Sequence, residues 1–178
     1  MDIQLDRIQL VRLSETHDIK PFDCEDTDLN EFLLVDAKFY QSQLLATTYI
    51  GESSDKTVFF FSLLNDKVSV RDLESGNQWK KRFKDVMPEG KKFTSYPAVK
   101  IGRFGTDKEF KGKGFGTFAM NAIKGKFVEN TPTGARYLTV DAYRNSIPFY
   151  EKCGFIFLTN QDKDDATRQM YFDLLNFV

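Results

Sequence analysis

Three glycines at alternate positions, Gly112, Gly114 and Gly116, stand in the stretch Phe110-Lys-Gly-Lys-Gly-Phe-Gly-Thr117. Glycine lacks a Cβ, so backbone built from it reaches unusual φ/ψ and lets a ligand come close. The run before it, Val99-Lys-Ile-Gly-Arg-Phe-Gly105, reads as a strand, and Phe118-Ala-Met-Asn-Ala-Ile-Lys124 after it reads as a helix start. Strand, glycine turn and helix in that order make an anion cradle. The first N–H groups of a helix have no internal partner, and the dipole there is positive. Lys111 and Lys113 add charge.

The spacing excludes two common phosphate loops. The mononucleotide loop needs Gly-Lys-Ser/Thr after four intervening residues. The dinucleotide fingerprint has wider glycine spacing and opens a βαβ unit, whereas this turn lies past the middle of the chain. Lys111-Gly-Lys-Gly114-Phe-Gly116 resembles the acyl-CoA pyrophosphate loop of the GNAT N-acetyltransferases, Arg/Gln-x-x-Gly-x-Gly/Ala, with lysine in the first position. Asn145-Ser-Ile-Pro148-Phe-Tyr150-Glu-Lys-Cys-Gly154-Phe155 is similar to the same family's late motif, in which a short helix ends at a glycine and a strand follows. Pro148 suits the helix start and Gly154 the position after its end.

The resemblance covers about residues 45–175, inside a single N-acetyltransferase domain spanning 1–178. It implies an α/β (α+β) GNAT fold: a mixed, mostly antiparallel central sheet splayed between strands 4 and 5 and flanked by helices. It implies acetyl-CoA as cosubstrate, no metal, and direct attack of a primary amine on the thioester within a ternary complex. Carried over residue by residue, Lys111, Gly112, Lys113, Gly114, Phe115, Gly116 and Thr117 hold the pyrophosphate. The backbone of Phe104, Gly105 and Thr106 faces pantetheine, and Asn145 reaches the pantetheine or phosphate arm. Tyr150 is the expected acid for the departing thiolate, with an ordinary phenol pKa of about 10. Asp107 and Asp141, at strand ends, are base candidates, each also suited to capping a turn. Gly102 marks the expected bulge of the splayed strand.

The elements that position these groups follow from the pattern. A strand is expected over 5–13, and a helix over 28–44 with Leu29, Phe32, Leu33, Asp36, Phe39, Tyr40 and Leu44 as its stripe. A hairpin pairs 46–52 with 56–64, and an amphipathic helix covers 71–86. The cofactor strand takes 98–106 and its helix 116–129. A turn at Thr131-Pro-Thr-Gly134, strand 136–142, helix 146–153, and strands 154–160 and 167–175 complete the order.

Phe22-x-Cys24, Leu29-Asn-Glu-Phe-Leu33, Phe61-Ser-Leu-Leu64 and an insertion over about 71–97 before Tyr96-Pro-Ala-Val-Lys-Ile-Gly-Arg103 resemble the tRNA-acetylating toxin subgroup, whose members pair with a small DNA-binding antitoxin. The insertion is basic and aromatic, with Trp79-Lys-Lys-Arg-Phe-Lys84 and Lys91-Lys92. Such a patch can track phosphates and stack bases, but the same spacing describes the solvated face of a helix. Net charge is −1, which gives no long-range steering of a polyanion. A small amine or a protein amine is therefore the preferred acceptor over tRNA, with an acyl-CoA sensor as the non-catalytic alternative.

The 178 residues are 41% hydrophobic and include 18 Phe, enough for a sizeable core. Two cysteines and one histidine make neither a disulfide framework nor an ordinary zinc site. No apolar run has membrane-spanning length and no signal pattern opens the chain. A cytoplasmic monomer or homodimer is expected.

Overall fold

The computed structural model describes residues 7–84, 86, 88, 91, 93–129 and 133–178. Leu5 and Asp6 of the first expected strand, Lys92 of the basic insertion, and Thr131 and Pro132 of the expected turn lie outside them. The chain forms two compact units, one of residues 1–64 with 101–125 and one of residues 65–100 with 126–178. Seven strands, β1 (Gln9–Arg12), β2 (Thr47–Glu52), β3 (Thr57–Ser69), β4 (Ser95–Thr106), β5 (Tyr137–Tyr143), β6 (Ile156–Phe157) and β7 (Thr167–Asp173), make one sheet of order β1-β2-β3-β4-β5-β7-β6. Pairing is antiparallel for β1–β2, β2–β3, β5–β7 and β6–β7, and parallel for β4–β5. The parallel register runs from Ala98 opposite Tyr137 to Lys100 opposite Thr139, while β4 itself continues to Thr106.

In the first unit, Val58-Phe-Phe-Phe61 of β3 is wholly buried, as its unbroken apolar run demands. Phe60 packs with Phe22, Phe32, Leu33, Ala37 and Ile50 under the first helical segment. That segment is not the uniform helix its spacing suggests. α1 (Thr27–Glu31) starts at Asp26, whose carboxylate accepts from the Leu29 N–H. It passes into a π-helical turn at Phe32–Asp36 before α2 (Ala37–Ser42). The wider turn rotates the face, so Leu33 and Ala37 are buried while Phe39 and Leu44 of the expected stripe are exposed. Register also shifts at Gly51/Glu52. A Cβ on Gly51 would lie 2.2 Å from the buried Phe59 ring.

In the second unit, α3 (Gly76–Phe83) is shorter than the expected 71–86, because Ser75 caps it by accepting from the Gln78 N–H. Trp79 and Phe83 point into a core with Tyr96, Tyr137 and Tyr171, and Lys80 and Lys81 face solvent. Arg82 is structural. Its Nη1 donates to the carbonyls of Phe157 (3.2 Å) and Leu158 (2.5 Å), and its guanidinium lies 5.9 Å from the Tyr171 ring centre. Because the site is exposed, Arg82→Ala should cost about 1–2 kcal/mol, or roughly 2–8 °C in Tm for a chain of this size. Lys80→Ala should stay within about 0.5 kcal/mol. Thermal melts of the two variants check the contrast. The last expected strand but one, 154–160, shrinks to β6.

Candidate active site

β4 delivers the chain to the glycine turn. Its last residues are held by packing that only glycine permits at two points. A Cβ at Gly105 would lie 2.8 Å from the Phe60 ring and 3.3 Å from Phe22, and one at Gly102 would lie 2.2 Å from Leu64 Cδ1. Gly102 thus clears room for β3 at the position expected to bulge. Phe104 and Thr106 are half-buried. Asp107, buried at the end of the strand, accepts from the N–H groups of Asp23 and Glu109, both at 2.9 Å, through one oxygen each. It is therefore a capping residue that fixes the turn.

Residues 22–25 form a strap against this turn. The Lys108 N–H donates to the Asp23 carbonyl at 2.8 Å, and its ammonium pairs with the Asp23 carboxylate. That pairing, with the Glu25 and Asn30 hydrogen bonds, holds the Asp23 carboxyl well below the usual carboxylate range. Lys111 Nζ donates to the Cys24 carbonyl (2.7 Å) and Glu25 (3.0 Å). The lysine in the first loop position therefore ties the strap, with its ammonium already partnered. Lys113 Nζ lies 6.0 Å from the centre of the Phe110 ring.

The turn itself has the expected strand–turn–helix form. Gly112 (φ 75°) and Gly114 (φ 90°) adopt the left-handed region that disfavours a side chain. A Cβ on either would meet nothing within 4 Å. α4 (Phe115–Val128) follows, and its first turn closes with the Phe118 N–H on the Gly114 carbonyl at 3.0 Å. The N–H groups of Phe115, Gly116 and Thr117 precede that bond and have no carbonyl within the helix to receive them. The Phe115 side chain is buried against Phe110, so what it offers a ligand is backbone. Glycines at the turn and a dipole of positive sign together suit a phosphate.

Tyr150 belongs to α5 (Ile147–Lys152), which Pro148 starts. Gly154, with φ 85°, ends the turn by donating to the Glu151 carbonyl at 2.8 Å, and the Phe155 N–H returns to the Tyr150 carbonyl at 3.0 Å. The Tyr150 ring meets Phe149 and Phe155 edge-on at 5.2 and 5.5 Å. Burial pushes its phenol above the ordinary value. Asn145, exposed, lies in the short turn before α5. Asp141, the other base candidate, is exposed and ion-paired with Lys100.

Residues 91–171 match the family model described as acetyltransferase (GNAT) domain. They form a GNAT acetyltransferase domain. The GNAT fold extends over nearly the whole chain. A tyrosine-to-phenylalanine mutant of KacT superposes with TM-score 0.76 at 22% identity over 96% of both chains. AtaT complexed with acetyl-methionyl-tRNAfMet superposes with TM-score 0.72 at 21% identity, again over 96% of both. A mutant AtaT toxin bound to the C-terminus of the antitoxin AtaR and acetyl-CoA gives 0.67 at 19% identity, with 96% of each chain covered. Among curated proteins no sequence matches this chain. The GNAT domain is an acyltransferase. Among the described residues no group of three or more His, Cys, Asp or Glu is placed to hold a metal ion, and no helix is long and apolar enough to cross a membrane. Sequence reasoning passed over the strap at residues 23–25 and the side chain of Arg103. The only trace of the strap in the sequence is Phe22-x-Cys24 itself.

Proposed function

We propose that residues 1–178 work as a single acetyl-CoA-dependent N-acetyltransferase domain whose acceptor is the amine of an aminoacyl-tRNA. The observation that carries the cofactor half is the open turn at Gly112 and Gly114 leading straight into α4, whose first N–H groups, on Phe115, Gly116 and Thr117, have no carbonyl within the helix to receive them. These groups bind the pyrophosphate, with Lys113 adding charge. The backbone of Phe104, Gly105 and Thr106 takes pantetheine, in the part of β4 beyond the Ala98–Lys100 register with β5, and Asn145 adds a polar contact to the arm.

The amine attacks the thioester carbon, and the CoA thiolate leaves. Tyr150 serves the leaving group. An ordinary thiol has a pKa of about 8.5, well below a phenol raised by burial. Complete proton transfer from Tyr150 is thus uphill, and its hydroxyl acts by donating a hydrogen bond as the thiolate forms. The amine attacks as the neutral base, its nitrogen becomes cationic as the N–C bond forms, and the proton it then sheds goes to the departing thiolate. Asp107 is not assigned as the base, because both its oxygens are engaged.

The acceptor half is supported by the likeness of the whole chain to AtaT, solved with acetyl-methionyl-tRNAfMet, and to KacT. A cognate antitoxin is then the expected protein partner, as in the AtaT–AtaR complex. A small amine or protein amine is the second reading, favoured by the net charge of −1. An intact loop and Tyr150 weigh against a purely sensing role.

Salt separates the two acceptors. If phosphates are contacted, acetylation of aminoacyl-tRNA should fall steeply with salt, because binding releases counterions. Lys80→Ala with Lys81→Ala should raise the KM for tRNA a few-fold and flatten that slope by up to about 2, with Arg82 left in place to keep the fold. Steady-state rates from low to moderate salt check this. A flat salt dependence, with small amines acetylated equally well, favours the second reading.

A further inference from the structure

Arg103 is a guanidinium that the fold holds along one edge and leaves open along the other. It stands on β4 between Gly102 and Phe104. Its Cζ lies 5.4 Å from the centre of the Phe32 ring, a cation–π placement. Asp28 Oδ2 is 3.5 Å from Nε, close enough for an ion pair. That contact is not aligned as a hydrogen bond, and Nε is buried with no hydrogen-bond partner. Without that alignment Asp28 gives the guanidinium charge balance alone. Among the described residues the one hydrogen bond the guanidinium makes is from Nη1 to the Gly102 carbonyl, at 3.1 Å. Of a guanidinium's five N–H donors, that one is used and the one on Nε is buried, which leaves the rest on a side chain that is 41% exposed.

A second observation falls at the same place. The ring beneath the guanidinium, Phe32, begins the π-helical turn of residues 32–36. Single π turns inside helices concentrate at functional sites, and this one breaks an otherwise regular amphipathic stripe. Two irregularities, an under-used arginine and a π turn, are thus built against each other.

The chemistry points to an acceptor oxygen rather than to the cofactor. Arg103 is three residues before the end of β4, about 10 Å along the strand from Thr106, and the glycine turn lies beyond that. The proposed pantetheine contacts use backbone. A planar fork of donors matches a carbonyl or phosphate oxygen.

We infer that Arg103 is a specificity-determining residue that binds an acceptor oxygen, either the ester carbonyl next to the attacking amine or the terminal phosphate beyond the ribose of an aminoacylated RNA end. This rests on the acetyltransferase reading above. Asp28 and the Phe32 ring are positioning groups that keep the guanidinium planar to its target.

The test compares wild type, Arg103→Ala and Arg103→Lys on three acceptors: methionyl-tRNA, methionine methyl ester, and 3-(methylthio)propylamine, which keeps the amine and lacks the carbonyl. Acetyl-CoA affinity is measured by calorimetry, and folding by thermal melt. Arg103→Ala should raise the methionyl-tRNA KM about 10- to 100-fold, the range of one hydrogen bond to a charged group. It should leave the KM for the plain amine and the affinity for acetyl-CoA unchanged, and lysine should restore part of the loss. A parallel rise with the methyl ester assigns the carbonyl, and a rise with the tRNA alone assigns the phosphate. Unchanged KM for both carbonyl-bearing acceptors, or an equal rise for all three, overturns the assignment. A wild type that acetylates the ester but not the tRNA removes the tRNA reading, while the ester arm still decides the role of Arg103.

Discussion

Tyr150→Phe should lose about 10²-fold in turnover while binding acetyl-CoA as tightly as wild type. The ring is packed between Phe149 and Phe155, and phenylalanine keeps that shape. Thermal stability should therefore hardly move, and the loss should fall on kcat and kcat/KM alike, the mark of an interaction made only in the transition state. A tyrosine that merely packs would give a rate within a few-fold of wild type. The pH profile carries a second reading. The hydroxyl must stay protonated to donate, and burial raises its pKa. Any alkaline loss of rate from this group is then displaced to higher pH, above the ordinary phenol value of about 10. Wild-type kcat measured from pH 6 to 10 should show no falling limb from Tyr150. A limb near pH 9 that disappears in the phenylalanine variant would contradict the role given to burial.

Gly114→Glu should abolish acetyl-CoA binding, weakening it by at least about 10²-fold. Gly114 has φ 90°, which costs an L residue roughly 1–2 kcal/mol. The new carboxylate would also repel the pyrophosphate beside the first N–H groups of α4. Space is open around the position, so the fold should survive with only that strain. Gly134→Ala is the control, being equally open and without a positive φ. Calorimetric titration of both variants against wild type decides the matter. Undiminished affinity in folded Gly114→Glu would remove the turn from the cofactor site.

The parts of the molecule legible in the sequence are those where local chemistry dictates local backbone. Gly112 and Gly114 announce a turn because few other residues adopt positive φ, and Gly154 ends α5 for the same reason. The unbroken apolar run of β3 reveals itself through burial on both faces. The family resemblance implies a mixed sheet splayed between strands 4 and 5, but the parallel pairing of β4 with β5 and its register needed the structure.

What stayed hidden depends on partners far apart in the chain. The strap of Asp23, Cys24 and Glu25 on Lys108 and Lys111 joins residues more than eighty positions apart. Arg82 looks like one more solvated lysine-type charge until Phe157 and Leu158 present their carbonyls to it. The π turn at Phe32 is a change of backbone period, which a stripe of apolar residues assumed to repeat every 3.6 positions conceals. Arg103 falls within the expected strand 98–106, and only the placement of Phe32 and Asp28 shows how little of its guanidinium is engaged.

The most direct test is to incubate the protein with labelled acetyl-CoA and aminoacylated tRNA. Nuclease digestion and mass spectrometry then look for N-acetylaminoacyl-adenosine. The expected result is acetyl on the α-amine of the aminoacyl group, formed by wild type, nearly absent with Tyr150→Phe and absent with Gly114→Glu. Acetyl-CoA consumption on small amines with no acetylated adenosine, or no consumption of acetyl-CoA with any acceptor, is the result that would contradict it.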